Sequence, residues 1–400
     1  MRGEEALKNI GFIFLIFFVV FFSATPCQVH ALQGKVYVGL NAEASHPTST
    51  SDDSIKQGIL VAIDEINRAG GVLGGRKLEL LEKDNRSVPA RAVQNNREFA
   101  AMPDLVAVFG GKFSSAIIES LPLVHKFKLP VMASWSANNK VIDNGYKPNY
   151  AFRLSITDTW AVSAMMSHAL EKGYVKVGLM LPVNSWGRSN HETIQKFIAA
   201  NPKMKITSAQ WYNYGEKSLA EEYDAILKSG AKAVILVAIE TEASLLVKEV
   251  AKLPARQRLP IISHASVTGG DFPRMAGDAL GKVDLVFPQT CIIQESNSEK
   301  LKGVMAETKR LFGIKNPADI KSPMGLAHAY DLMHILALAI NKAGTTDRTA
   351  VHNAIEEVTD YDGLIMSYKQ PFTKTRHEAL SLQNVVMARY DSSGVIRKIK

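Results

Sequence analysis

Residues 233–239 read Ala233-Val234-Ile235-Leu236-Val237-Ala238-Ile239, apolar at every position. A strand with one wet face alternates polar and apolar residues. A run without alternation needs cover on both faces, which is the situation of a central strand in a parallel sheet. Glu240 and Thr241 follow at once. The segment 242–252 then places Ala243, Leu246, Val247 and Val250 at helical spacing, and Leu259–Ser263 is apolar again. Strand, amphipathic helix and strand in that order are one turn of a wound α/β sheet.

The same rhythm extends in both directions. In the first half, Val36–Leu40 reads as a strand and 54–68 as a helix with Ile55, Ile59, Val61, Ala62, Ile63 and Ile66 inward. Lys77–Lys83 is a strand, Pro89–Ala100 a helix, Leu105–Phe109 an apolar run, 115–126 a helix and Leu129–Ala133 a strand. After Tyr150–Leu154 the series restarts: helix 158–171, strand Val175–Leu181, helix 189–199, strand 206–212 and helix 218–228 lead into the quoted run. A repeat of this kind predicts two sheets. In such sheets ligands sit beyond the carboxyl ends of the strands. The loops to watch are Asn41–Asp53, Gly110–Ser115, Ser134–Asn139, Pro182–Arg188, Glu240–Thr241, His264–Val267 and Pro288–Thr290.

Before this rhythm lies a different kind of sequence. Arg2 and Lys8 precede the apolar run Phe12–Phe22, and Val29-His30-Ala31 supplies small residues at its exit. This is the pattern of a secretory leader cut near Ala31, so an exported, periplasmic protein is expected. The run is short for a membrane span, which needs about 20 residues, and no later apolar stretch reads as one. Cys27 leaves with the leader, so Cys291 remains without a disulfide partner. The excess of 47 Lys and Arg over 39 Asp and Glu is spread along the chain rather than run together, which gives no nucleic-acid footprint.

Several chemistries are missing. Gly70-Gly71-Val72-Leu73-Gly74-Gly75 follows a helix and precedes a strand, the reverse of a dinucleotide fingerprint, and reads as a helix cap and turn. Gly110-Gly111-Lys112 lacks the upstream spacing of a phosphate loop, and no G-x-S-x-G, H-E-x-x-H or C-x-x-C occurs. His328, Asp331 and His334 stand three apart on a predicted helix, where successive steps of about 300° make the outer two diverge. No metal, no cofactor and no catalytic nucleophile are expected, hence no enzyme.

The stretch Gly58–Lys77, with Ala62-Ile63-Asp64-Glu65-Ile66-Asn67 and the glycine cluster behind it, resembles the periplasmic leucine/isoleucine/valine-binding proteins. Further similar pieces are Asp84-Asn85, Phe109–Ser115, Phe152-Arg153, Ser185-Trp186-Gly187 and Ala329-Tyr330-Asp331, in order along nearly the whole chain after the leader. The resemblance implies a type I periplasmic binding protein: two doubly wound parallel-sheet lobes joined by three hinge crossings near Leu154, Pro288 and residue 383. The lobes would be 32–153 plus 289–382 and 154–288 plus 383–400, in a monomer that closes on a solute and delivers it to an ABC permease.

By the same resemblance the ligand carboxylate falls to Ser114, with Ser115 beside it. This suits a helix start, where N–H groups and a hydroxyl stabilise an anion; a plain helix cap is the alternative. Trp135, Ser136 and Ala137 form the second carboxylate loop, although the family usually has threonine where Ala137 stands. The family acid that holds an α-ammonium aligns with Ala265, which cannot do so. Glu240 is the neighbouring acid able to substitute, unless it only complements a helix N-terminus. Trp135 and Trp186 would sandwich the solute or pack the lobes, and His264 would donate to a second carboxylate or bond within its loop. The expected ligand is a small carboxylate: an amino acid of branched-chain type, or an acid lacking an amino group, such as an aromatic acid. A sensory ligand-binding module is the other class of function.

Overall fold

The structure, a computed structural model, describes residues 34–45 and 50–399; the predicted leader lies outside them. The first part of the chain runs β1 (Val36–Ala42), α1 (Thr50–Arg68), β2 (Leu78–Asp84), α2 (Pro89–Ala100), β3 (Leu105–Gly110), α3 (Ser114–Lys126), β4 (Val131–Ala133) and β5 (Ala151–Arg153). It continues as α4 (Asp158–Glu171), β6 (Lys176–Pro182), α5 (Ser185–Ala200), β7 (Lys205–Tyr212), α6 (Ala220–Lys228), β8 (Ala233–Leu236), α7 (Glu240–Lys252), β9 (Ile261–Ser263), α8 (Phe272–Ala276) and β10 (Leu285–Gln289). The last part is α9 (Glu299–Phe312), α10 (Pro323–Ala343), α11 (Arg348–Ile355), the hairpin β11 (Tyr361–Asp362) and β12 (Ser367–Tyr368), then β13 (Val386–Tyr390) and β14 (Ile396–Lys398).

These elements form two sheets. The first has the order β2-β1-β3-β4-β5, all parallel. The second has β7-β6-β8-β9-β10 in parallel, with β13 and β14 added antiparallel at its edge. Each sheet reverses its winding once, between β1 and β3 and between β6 and β8. Those reversals open crevices at the strand ends. The chain passes from the first sheet to the second after Arg153; between Gln289 and Val386 it runs through α9, α10, α11 and the β11–β12 hairpin before returning to the second sheet.

The run Ala233–Ile239 is inaccessible through Ala238, as a doubly covered strand must be. The core of the first half is centred on α1 against α10, and both helices come close because Gly58 has no side chain: a Cβ there would lie 2.2 Å from the Leu326 carbonyl oxygen. α10 corrects one sequence expectation. Its 21 residues are long and apolar enough to cross a membrane, but 89% of its most apolar window is buried in the protein, so it is a core helix. The glycine cluster is a turn, closed by paired hydrogen bonds between Val72 and Arg76. There Gly71 has φ +83° and a Cβ would meet the Arg76 carbonyl at 2.3 Å.

Two helices start a full turn earlier than the apolar spacing suggests, α1 at Thr50 and α5 at Ser185. Asp52 fixes the first turn of α1 by accepting the N–H of Glu43 and of Lys112, and Asn184 caps α5 by accepting from the Gly187 N–H. His328, Asp331 and His334 do diverge. His328 meets Thr290 and the Ser134 carbonyl, Asp331 accepts from Leu364, Ile365, Tyr361 and Tyr368, and His334 faces Glu65.

Candidate functional site

The loops after β1 and β3 leave the winding reversal of the first sheet, and those after β6 and β8 leave that of the second. The loops after β3, β4, β6, β7, β8 and β9 wall one cleft, lined by Lys112, Phe113, Ser114, Ser115, Trp135 and Ala137 on one side. The other side is Asn184, Ser185, Trp186, Tyr214, Ile239 and Ser266. The walls stand close, leaving a cavity of about 30 Å³, room for one or two waters. A solute enters only if the walls part.

On the first side, α3 begins at Ser114, so its leading N–H groups have no acceptor within the helix and point out of its end. The Ser114 hydroxyl accepts from the Asn138 N–H at 3.3 Å. The loop carrying Trp135 is held rigidly. Ser136 donates its hydroxyl to the Gly111 carbonyl at 2.9 Å, and the buried guanidinium of Arg153 bonds the carbonyls of Ser136 and Asn138 at 3.0 and 2.9 Å. Arg153 also pairs with Glu378, which accounts for the Phe152-Arg153 motif structurally. Asn138 reaches across the cleft to the Ser185 carbonyl at 3.1 Å.

On the second side, Trp186 is anchored. Its indole N–H donates to Asp158 at 2.9 Å, and the same buried carboxylate accepts from Ser189 and Asn190. The ring meets His264 edge-on with centroids 5.0 Å apart. His264 and Ala265 are inaccessible and stand behind the wall, where His264 Nδ1 accepts from the Ser266 N–H. Phe113 and Tyr214 meet edge-to-face across the cleft at 6.0 Å.

Behind the aromatic walls lies a buried charge cluster. The Lys112 ammonium is 3.1 Å from Glu43 and 3.9 Å from Glu240, with only 3% of its side chain exposed. Burial pushes Glu240 up to about 7, against the pull of Lys112, and Asp52 up to about 6 for the same reason. Burial alone would lower Lys112, but Glu240, Asp52 and Glu43 outweigh it and the net direction is up, so Lys112 stays protonated. Glu240 Oε1 has no hydrogen-bond partner among the described residues.

Of the residues singled out from sequence, Ser114, Ser115, Trp135, Ala137 and Trp186 line the cleft. Ser136, Glu240, His264 and Ala265 sit behind it; Ser136 bonds Gly111 and His264 Nδ1 bonds Ser266, while His264 Nε2 has no hydrogen-bond partner among the described residues. Sequence reasoning passed over Lys112, Phe113, Asn184, Ser185, Ile239 and Ser266, although all but Ile239 belong to strand-end loops it had marked. Tyr214 was outside those loops, yet it follows β7 by the same rule.

A family model described as periplasmic binding protein matches residues 35–394. The chain belongs to the periplasmic binding protein family. A Leu/Ile/Val-binding protein homolog 1 from Brucella abortus (strain 2308) is 23% identical over 335 residues, 80% of this chain and 82% of the relative. Among solved structures, the branched-chain amino acid transporter substrate binding protein LivJ from Streptococcus pneumoniae, in complex with isoleucine, superposes with a TM-score of 0.76. It is 18% identical, and the match covers 92% of this chain and 99% of LivJ. A solute binding protein of an ABC transporter from R. palustris, in complex with 4-hydroxybenzoate, reaches a TM-score of 0.77 at 17% identity, over 92% and 96% of the two chains. At these identities the structural likeness establishes the fold.

Proposed function

We propose that this periplasmic binding protein is the exported solute-binding component of an ABC importer. Its lobes, 32–153 plus 289–382 and 154–288 plus 383–400, close on a small aromatic carboxylate that is then handed to the permease. The observation that carries this reading is the cleft itself. The α3 N-terminus with Ser114 and Ser115 offers donors to a carboxylate, while Phe113, Trp135, Trp186 and Tyr214 supply flat walls. The solute selects the closed state because only that state presents both walls to it. That one structural neighbour holds 4-hydroxybenzoate is in keeping with such a ligand.

A second reading, an amino acid, is favoured by one observation: Glu240 Oε1 is buried without a hydrogen-bond partner among the described residues, as an acid awaiting an ammonium would be. Thermal-shift and calorimetric titration with 4-hydroxybenzoate and with leucine decide between them. A ligand at 100 times its Kd adds about 2.7 kcal/mol of stability. Stabilisation by leucine and not by 4-hydroxybenzoate would replace the first reading with the second; no response to either would overturn the carboxylate reading.

A further inference from the structure

We infer that Lys112 is a built-in counter-ion that takes the place of a ligand ammonium at Glu240, and so sets the site's preference for carboxylates lacking an amino group. This deepens the reading of the cleft as a carboxylate site and rests on it. Three observations meet at Lys112. It is part of the cleft wall, two residues before Ser114 at the start of α3. Its ammonium is withdrawn from solvent and lies within ion-pair distance of Glu43, from the first-sheet half, and of Glu240, from the second. And Glu240 is a buried acid whose Oε1, without a hydrogen-bond partner among the described residues, is the oxygen facing that ammonium.

The charged groups around this ammonium come from every element packed there: Glu43 after β1, Asp52 and Asp53 on α1, and Glu240 and Glu242 at the start of α7. Asp52 is committed to the N–H groups of Glu43 and Lys112; Glu242 accepts from the Gly215 N–H with one oxygen, and its other oxygen has no hydrogen-bond partner among the described residues. Glu240 has a carboxylate oxygen with no hydrogen-bond partner among the described residues, and the nearest cation to it is the lysine. An amino acid entering the cleft with its carboxylate on Ser114 would bring a second ammonium to the same acid, beside the first and in a cavity with little water to screen them. Like charges there repel. A solute with a carboxylate and no ammonium meets Lys112 as a favourable charge instead.

The test is a reciprocal change of preference. Calorimetric titration of wild type, Lys112→Met and Lys112→Arg with 4-hydroxybenzoate and with leucine gives a ratio of affinities for each protein. Wild type is expected to favour 4-hydroxybenzoate. Lys112→Met should weaken that ligand about tenfold and strengthen leucine about tenfold, shifting the ratio about a hundredfold, while Lys112→Arg keeps the wild-type order. Glu240→Gln is a second variant that leaves Lys112 in place, and it should tighten 4-hydroxybenzoate without a gain for leucine; if Lys112→Met does not fold, this outcome decides. Equal loss for both ligands in Lys112→Met, or a wild type that prefers leucine, overturns the inference while the carboxylate site stands. Binding of neither ligand to wild type overturns the carboxylate reading, and this inference with it.

Discussion

Replacing Glu240 by glutamine in the unliganded protein should stabilise it at pH 8 and do nothing at pH 4.5. Glu240 is 1% exposed, and burial raises its carboxyl from the ordinary 4.5 to about 7 despite the nearby Lys112. A carboxyl whose folded value lies above its unfolded value holds more protons in the native state. Its contribution is therefore favourable at low pH and is lost as pH rises from about 4.5 through about 7. A shift of about 2.5 units at 1.36 kcal/mol each corresponds to about 3 kcal/mol lost above the window. Glutamine keeps the shape, carries no charge and escapes that loss. Urea denaturation of wild type and Glu240→Gln at pH 4.5, 6 and 8 measures the difference directly. The variant should gain about 3 kcal/mol at pH 8, about half that near pH 6 and nothing at pH 4.5. Asp52, raised to about 6 by the same burial, has the same sign and leaves a residual slope in the variant. A variant less stable than wild type at pH 8 would refute the reasoning, because the ion pair with Lys112 would then outweigh the cost of burying the charge.

Ser114→Ala should weaken carboxylate binding by about tenfold to a hundredfold, the effect of one lost hydrogen bond to a charged group, about 1.5–3 kcal/mol; unchanged affinity by calorimetry would remove the hydroxyl from the site. Gly58→Ala forces a methyl against the Leu326 carbonyl, 2.2 Å from the Cβ position, and should cost about 1–3 kcal/mol by prising α1 from α10, read as a lower urea midpoint. Asp158→Ala strips an acceptor from Trp186, Ser189 and Asn190 together. At about 1–3 kcal/mol for each buried donor left unpaired, it should lower stability by about 3 kcal/mol or more and loosen the Trp186 wall. Unaltered denaturation would show that the tryptophan does not depend on that anchor.

The architecture was legible because its signals are local. Ala233–Ile239 is apolar at every position for the plain reason that both faces are covered, and the helix that follows shows its buried stripe in the spacing of Ala243, Leu246, Val247 and Val250. Helix starts were less legible. Ser185 begins α5 through a side-chain cap from Asn184, and α1 starts at Thr50 ahead of its apolar stripe. The site was half legible. Strand-end loops are readable from the rhythm, so Ser114, Trp135 and Trp186 were within reach. The path of a long side chain is not. Lys112 was visible as part of a glycine-rich loop, but its fold-back onto Glu43 and Glu240 depends on residues 69 and 128 positions away in sequence, which no local pattern connects. Ser136 and His264 look like ligand donors in sequence; in the structure the Ser136 hydroxyl is taken up by the Gly111 carbonyl and His264 Nδ1 by Ser266. Hydrogen-bonding capacity is a property of a residue type, whereas its availability depends on neighbours.

The antiparallel pair β13 and β14 gives the second sheet a particular order of assembly. Strand β10 is bordered by β9 on one side and by β13 on the other, and β13 is reached only after α9, α10, α11 and the short hairpin have been placed in the other half. Until then the open side of β10 presents unpaired backbone groups to any strand that drifts past, the hazard of every exposed sheet edge. Pairing across so long a separation is also slow. A nascent chain paused before residue 386 would therefore hold an unsealed and adhesive sheet. Keeping the chain unfolded, or in the care of a chaperone, until that segment has emerged would suppress such association, which makes the last antiparallel pair a checkpoint for the completed molecule.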